Sequence, residues 1–155
     1  MKHLLPALLL AGVAAGAQAG VSCKIGGADI GIAAAEAYFD YSPSGKRGGS
    51  GDLSLFRLLT LDTSDGPTSN VELKTVDVQS AGDYRLSTEP GWRSNIRARD
   101  DDQAVTSGQF RFTRFDVKGE AGRAAGSVEF KTDKTSGSCT FDIALKVFNR
   151  DRLPR

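Results

Sequence analysis

Residues 139–148 read CTFDIALKVF. Cys139, Phe141, Ile143, Leu145 and Val147 occupy every second position, with Thr140, Asp142 and Lys146 between them. A period of two puts the first set on one face of an extended chain, so this stretch reads as a strand with one buried side. Upstream, residues 127–132, SVEFKT, turn Val128 and Phe130 inward in the same way. Residues 108–117, GQFRFTRFDV, place Phe110 and Phe112 on one face, but Phe115 and Val117 are out of step by one residue. A β-bulge near Thr113 and Arg114, which inserts one extra residue, restores the parity.

Further upstream the pattern weakens. Residues 53–61, LSLFRLLTL, are apolar on both faces and fit either a central strand or a short helix. Residues 71–78, 84–88 and 92–99 alternate and read as strands. In residues 28–41, the alanine-rich run 33–37 favours helix, whereas Tyr38, Phe39 and Tyr41 favour strand. Alternation through Ile30 and Ile32 tips this segment towards strand. Turn signals separate the segments: SPSG at 42–45, SDGP at 64–67, SAGD at 80–83, EPG at 89–91 and KGE at 118–120. The low-complexity stretch 42–51, SPSGKRGGSG, fits a hairpin tip. The expected architecture is all-β, an antiparallel β-sandwich or barrel of about eight or nine strands.

The amino terminus reads differently. Lys2 and His3 precede an apolar run, residues 4–15, which leads to Ala17-Gln18-Ala19. A charged start, an apolar core and two small residues at the cleavage positions form a secretory signal peptide, residues 1–19. The apolar run is shorter than the roughly 20 residues that span a bilayer, and no later segment reaches that length. Cleavage leaves residues 20–155 as a single β-rich domain, periplasmic or secreted. It removes Lys2 from the 20 Lys and Arg, so the remaining cations equal the 19 Asp and Glu. A balanced charge argues against a nucleic-acid partner. Two cysteines remain, Cys23 and Cys139, and an oxidising compartment favours a disulfide joining the first strand to the last. The competing reading is lipidation of Cys23, which would leave Cys139 unpaired.

Composition excludes much chemistry. The only histidine is His3, inside the signal peptide. Without an imidazole, Ser-His-Asp and Cys-His catalysis have no base near neutral pKa. Zinc sites of secreted enzymes lose their usual ligand as well. Gly45-Lys46 lacks the glycine spacing of a phosphate-binding loop, and residues 48–51 lack the context of a nucleophile elbow. Paired carboxylates could still hydrolyse a glycoside, but no motif selects two of them. No catalytic residue, metal ligand or cofactor is expected, and the chain leans away from enzymes.

Two features are candidate binding sites. Asp100, Asp101 and Asp102 form the densest charge run; they lack calcium-loop spacing and read as a solvated turn. In residues 92–99, Trp92, Ser94, Ile96 and Ala98 share one face and Arg93, Asn95, Arg97 and Arg99 the other. Pairing this strand with residues 108–117 sets Trp92 opposite Phe112, Ser94 opposite Phe110 and Arg93 opposite Arg111. The outer face then carries a basic stripe of Arg93, Arg97, Arg99 and Arg111. Like charges placed opposite each other destabilise a sheet, so an anionic glycan or an acidic envelope protein would complement them. Trp92, the sole tryptophan, follows Pro90-Gly91 and fits either a sugar-stacking platform or a plug at the end of the core.

The order of segments in the second half carries a resemblance. SAGDYRL at 80–86, TSGQF at 106–110 and AGSVEF at 125–130 precede the last strand. Over about residues 70–148 this resembles a group of β-rich bacterial secreted proteins. The resemblance implies a sandwich-like envelope domain and transfers no functional residue. The expected function is an exported, non-catalytic envelope binding module. A structural or accessory periplasmic role and a carboxylate-dependent carbohydrate hydrolase are the alternatives.

Overall fold

The computed structural model describes residues 20–41, 54–61, 70–98 and 101–149. The signal-peptide reading of residues 1–19, the glycine-rich stretch 42–51, and Arg99 and Asp100 lie outside the described residues. Eleven strands are present: β1 (Gly20–Ile25), β2 (Ala28–Asp29), β3 (Ala34–Tyr41), β4 (Leu55–Leu61), β5 (Asn70–Val76), β6 (Gly82–Arg85), β7 (Asn95–Ala98), β8 (Asp101–Ala104), β9 (Ser107–Lys118), β10 (Ala121–Lys131) and β11 (Ser136–Asn149). No helix occurs among the described residues. The all-β expectation holds: the two ambiguous segments contribute strands, β2 and β3 within residues 28–41 and β4 at Leu55–Leu61.

The strands form one sheet in the order β6-β9-β10-β11-β3-β4-β5-β7-β8, curled into a half-barrel. The sheet is mixed, which corrects the purely antiparallel expectation: β11 and β3 run parallel. The reason lies in the path of the chain. β1 runs antiparallel to β11, and β2 folds back on β1. β2 therefore points the same way as β11, and residues 30–33 carry that direction onward into β3. β1 and β3 share one edge of β11, β1 along residues 137–142 and β3 along residues 145–149.

Residues 85–87 bridge the two flanks of the curl. Leu86 N–H donates to Gly108 O at 3.0 Å, and Ser87 N–H donates to Lys74 O at 2.8 Å. Thr75, buried in β5, donates its hydroxyl to Arg85 O at 2.7 Å. Ser94, also buried, holds Lys74 from the other side, accepting from its N–H at 2.9 Å and donating to its carbonyl at 3.2 Å.

The curl encloses an aromatic core. Phe56 of β4 meets Phe110 and Phe112 of β9 at ring distances of 5.2 and 4.9 Å, although β4 and β9 are not neighbours in the sheet. Edge-to-face contacts of this kind add about 0.5–1.5 kcal/mol each beyond area burial. Phe115 also faces inward, 5.0 Å from Phe39. It does so because of a bulge: Ala125 pairs with Arg114 and Gly126 with Phe112, so Thr113 is the extra residue. The parity break at Thr113 and Arg114 was therefore legible in the sequence. In β11, Cys139, Phe141, Ile143, Leu145 and Val147 are all buried, as their alternation requires.

Cys23 and Cys139 are bonded to each other, and neither is free for lipid attachment. The bridge joins β1 to β11 across 116 positions of sequence. No helix among the described residues is long and apolar enough to cross a membrane.

Candidate binding groove on the outer sheet face

On the half β6-β9-β10-β11-β1, successive registers align one residue from each strand. Arg85 pairs with Gln109, Gln109 with Glu129, Glu129 with Ser138, and Ser138 with Lys24. Their chain neighbours Phe110, Val128, Phe130, Cys139 and Cys23 are buried in the core. Alternation along each strand therefore puts the row of five on the opposite, outer face. A second row, Ser107-Lys131-Ser136, lies two residues further along the strands. At about 4.8 Å per strand, the first row is about 19 Å long, and the two rows stand about 7 Å apart.

Between the rows runs the backbone of Gly108, Phe130 and Gly137, paired side by side. The two glycines are required by close packing. A Cβ on Gly137 would lie 2.3 Å from the Phe130 ring and 2.6 Å from Lys24 O. A Cβ on Gly108 would lie 2.3 Å from Leu86 and 2.4 Å from Glu129 O. Phe130 and Leu86 thus lie flat against bare backbone. On the outer side of this backbone lies a groove of about 800 Å³, lined by both rows and extended by Gly27, Thr88 and Thr106.

Its electrostatics differ from those of the other described residues. Nine cations elsewhere or at its end are paired: Lys24 with Asp29, Arg57 and Lys74 with Glu72, Arg97 with Asp102, Arg111 with Asp83, Arg114 with Asp116, Arg123 with Asp142, Lys134 with Asp101 and Lys146 with Glu36. Among the described residues, Arg85, Arg93, Lys118 and Lys131 have no carboxylate within ion-pair distance. Arg85 and Lys131 line the groove. Arg93 stands at its rim, donating to the carbonyl of the lining residue Thr88 at 3.2 Å. One carboxylate, Glu129, lines the groove.

A second cluster occupies the outer face of β11-β3-β4-β5, where Lys146, Tyr38, Arg57 and Lys74 align. Arg57 and Lys146 sit 4.5 and 5.3 Å from the Tyr38 ring centre. Lys146 donates to Glu36 at 2.7 Å, and the Tyr38 hydroxyl donates to the same carboxylate. The Lys146 hydrogen bond, followed by that of Tyr38, holds Glu36 below the usual carboxylate range. Each of these three cations has a carboxylate partner, Glu36 or the shared Glu72, although the cluster keeps one net positive charge.

The basic stripe expected on residues 92–99 is not assembled. β7 pairs with β5 and β8, whereas β9 pairs with β6 and β10. Phe112 therefore faces Gly82 and Phe110 faces Tyr84. Arg111 faces Asp83 and pairs with it at 3.3 Å, and Arg97 faces Asp102 and pairs with it at 2.7 Å. Asp101 and Asp102 belong to β8 and are paired, not a free turn. Trp92 is half-buried and closes a turn: its N–H donates to Glu89 O at 3.1 Å, Pro90 leads the turn, and Gly91 takes φ +86°.

Sequence reasoning missed Arg85, Gln109, Glu129, Lys131 and Lys24 as groove residues. The outward parity of Glu129 and Lys131 was visible in SVEFKT, but their neighbours across the sheet were not. No group of three or more His, Cys, Asp or Glu able to hold a metal occurs among the described residues. No family model, curated protein or solved structure matches the chain.

Proposed function

We propose that this protein is an exported, non-catalytic binding module whose outer groove takes an extended anionic glycan of the cell envelope. The carrying observation is the charge distribution: among the described residues, two of the four cations without a carboxylate partner, Arg85 and Lys131, line one groove, and a third, Arg93, donates to the carbonyl of its lining residue Thr88. Isolated cations there cost the fold nothing in broken pairs and attract an anion from solution. Gln109, Thr106, Ser107, Ser136 and Ser138 add the donors and acceptors that sugar hydroxyls need. Strand addition requires an open sheet edge, and in the middle of the groove β10 and β11 are paired on both sides, so a peptide lying across them cannot join the ladder. Glycoside hydrolysis by two carboxylates is disfavoured, because a single carboxylate lines the groove.

Export after cleavage at Ala19 is supported by the buried disulfide, which suits an oxidising compartment. Amino-terminal sequencing of the protein from the producing cell checks this directly, with Gly20 expected first.

The groove is tested by titrating an acidic oligosaccharide into the purified protein and into Arg85→Glu/Lys131→Glu. Saturable binding by the parent, weakened tenfold or more in the double variant, is expected. Equal binding by both proteins would remove the groove from consideration.

A further inference from the structure

Resting on that reading of the groove, we infer that Glu129 makes it selective for a glycan that alternates acidic and N-acetylated sugars over one that is acidic at every ring. Glu129 is at the midpoint of the row Arg85-Gln109-Glu129-Ser138-Lys24. Arg85 and Lys24 each stand two strands away, about 10 Å, and Lys131 lies about 7 Å along the same strand. The Glu129 side chain is exposed and makes no ion pair or hydrogen bond with any described residue. The groove therefore presents unpaired Arg85 at one end and Lys131 on its flank, Lys24 shared with Asp29 at the other end, and a carboxylate without an ion-pair partner at its centre.

An ionised carboxylate only accepts hydrogen bonds. A ligand anion at the centre meets like charge, whereas an amide N–H or a hydroxyl meets an acceptor flanked by Gln109 and Ser138. The pattern that satisfies the whole row is acid, donor, acid. Two unit charges about 4 Å apart in water repel by an amount worth roughly fivefold in affinity. An N–H donated to a carboxylate is worth about tenfold or more. Both effects favour the alternating chain, and selectivity built on a repulsive group is a general device.

Two oligosaccharides of equal length separate the terms: one alternating glucuronate and N-acetylglucosamine, the other oligogalacturonate, with a carboxylate on every ring. Each is titrated calorimetrically at fixed salt into the parent and into Glu129→Gln, an exposed and nearly isosteric change. The parent is expected to bind the alternating chain at least fivefold more tightly. Glu129→Gln is expected to weaken the alternating chain about tenfold and to strengthen oligogalacturonate about fivefold. If the parent binds oligogalacturonate as tightly, or if Glu129→Gln shifts both ligands by the same factor, Glu129 is no selector although the groove still binds. If oligoglutamate matches the alternating chain in the parent, glycan selectivity is overturned. Binding of neither sugar to the parent would remove the groove reading together with this inference.

Discussion

Cys23 and Cys139 face each other directly across the β1–β11 ladder, with their Cα atoms 4.1 Å apart. β1 has only this ladder and the two residues of β2 for strand partners. The bridge therefore clamps a sparsely paired edge strand that would otherwise fray. Lys24 follows Cys23 and Ser138 precedes Cys139, so the same bridge holds the end of the groove.

Cys23→Ser/Cys139→Ser should lower stability by between about 2 and 5 kcal/mol, given the long loop closed. Urea unfolding of the two proteins measures the difference. Hydrogen exchange should show faster amide exchange in residues 21–30 than in β9 and β10. Equal protection across the sheet would mean that the ladder alone secures β1.

Gly137→Ala should cost about 1–3 kcal/mol, the range for overpacking. Its Cβ would enter space held by the Phe130 ring and Lys24 O. Gly31→Ala is the control, since nothing lies within 4 Å of its Cβ. A shift in denaturation midpoint for Gly137→Ala, with none beyond error for Gly31→Ala, is expected.

The buried hydroxyl of Thr75 holds the segment that bridges the flanks of the curl, and that of Ser94 holds Lys74, whose carbonyl takes the Ser87 N–H of the same segment. Ser94→Ala leaves Lys74 N–H without that acceptor and should cost about 1–3 kcal/mol. Thr75→Val keeps the shape and frees Arg85 O, so the loss should be nearer 1 kcal/mol. Thr75→Val should also weaken glycan binding, because Arg85 loses its anchor; unchanged affinity would uncouple the core from the groove.

Stability should vary little from pH 5 to 8 and fall in acid. Lys146 and then Tyr38 lower the Glu36 pKa, Lys134 and then Gln103 lower Asp101, Arg97 lowers Asp102, and Arg123 lowers Asp142. A depressed folded pKa gives stability that is present above the unfolded value, about 4, and lost as pH falls through the folded one. The described residues contain no histidine to titrate nearer neutrality. Urea midpoints at successive pH values check this. Asp102 and Asp142 are exposed and Glu36 and Asp101 half-buried, so 1 M salt should shrink the acid effect.

What the chain declares by itself is local. Alternation in residues 139–148 and 127–132 determined which side chains are buried, because an extended backbone leaves only two faces. The same rule located the extra residue at Thr113 and tipped residues 28–41 towards strand. The two cysteines sat on the first and last strands, so their bridge followed from compartment and count.

Only the tertiary structure decided which strands are neighbours. Reading residues 92–99 against 108–117 assumed that segments close in the chain pair in the sheet. In the fold, β7 finds β5 instead, and β6 takes the place beside β9. Parity assigns a residue to a face but carries no information about its cross-strand partner, which depends on how the whole sheet curls to bury Phe56, Phe110 and Phe141. For that reason Arg97 and Arg111 meet aspartates, and Arg85, Glu129 and Lys24, far apart in sequence, form one row.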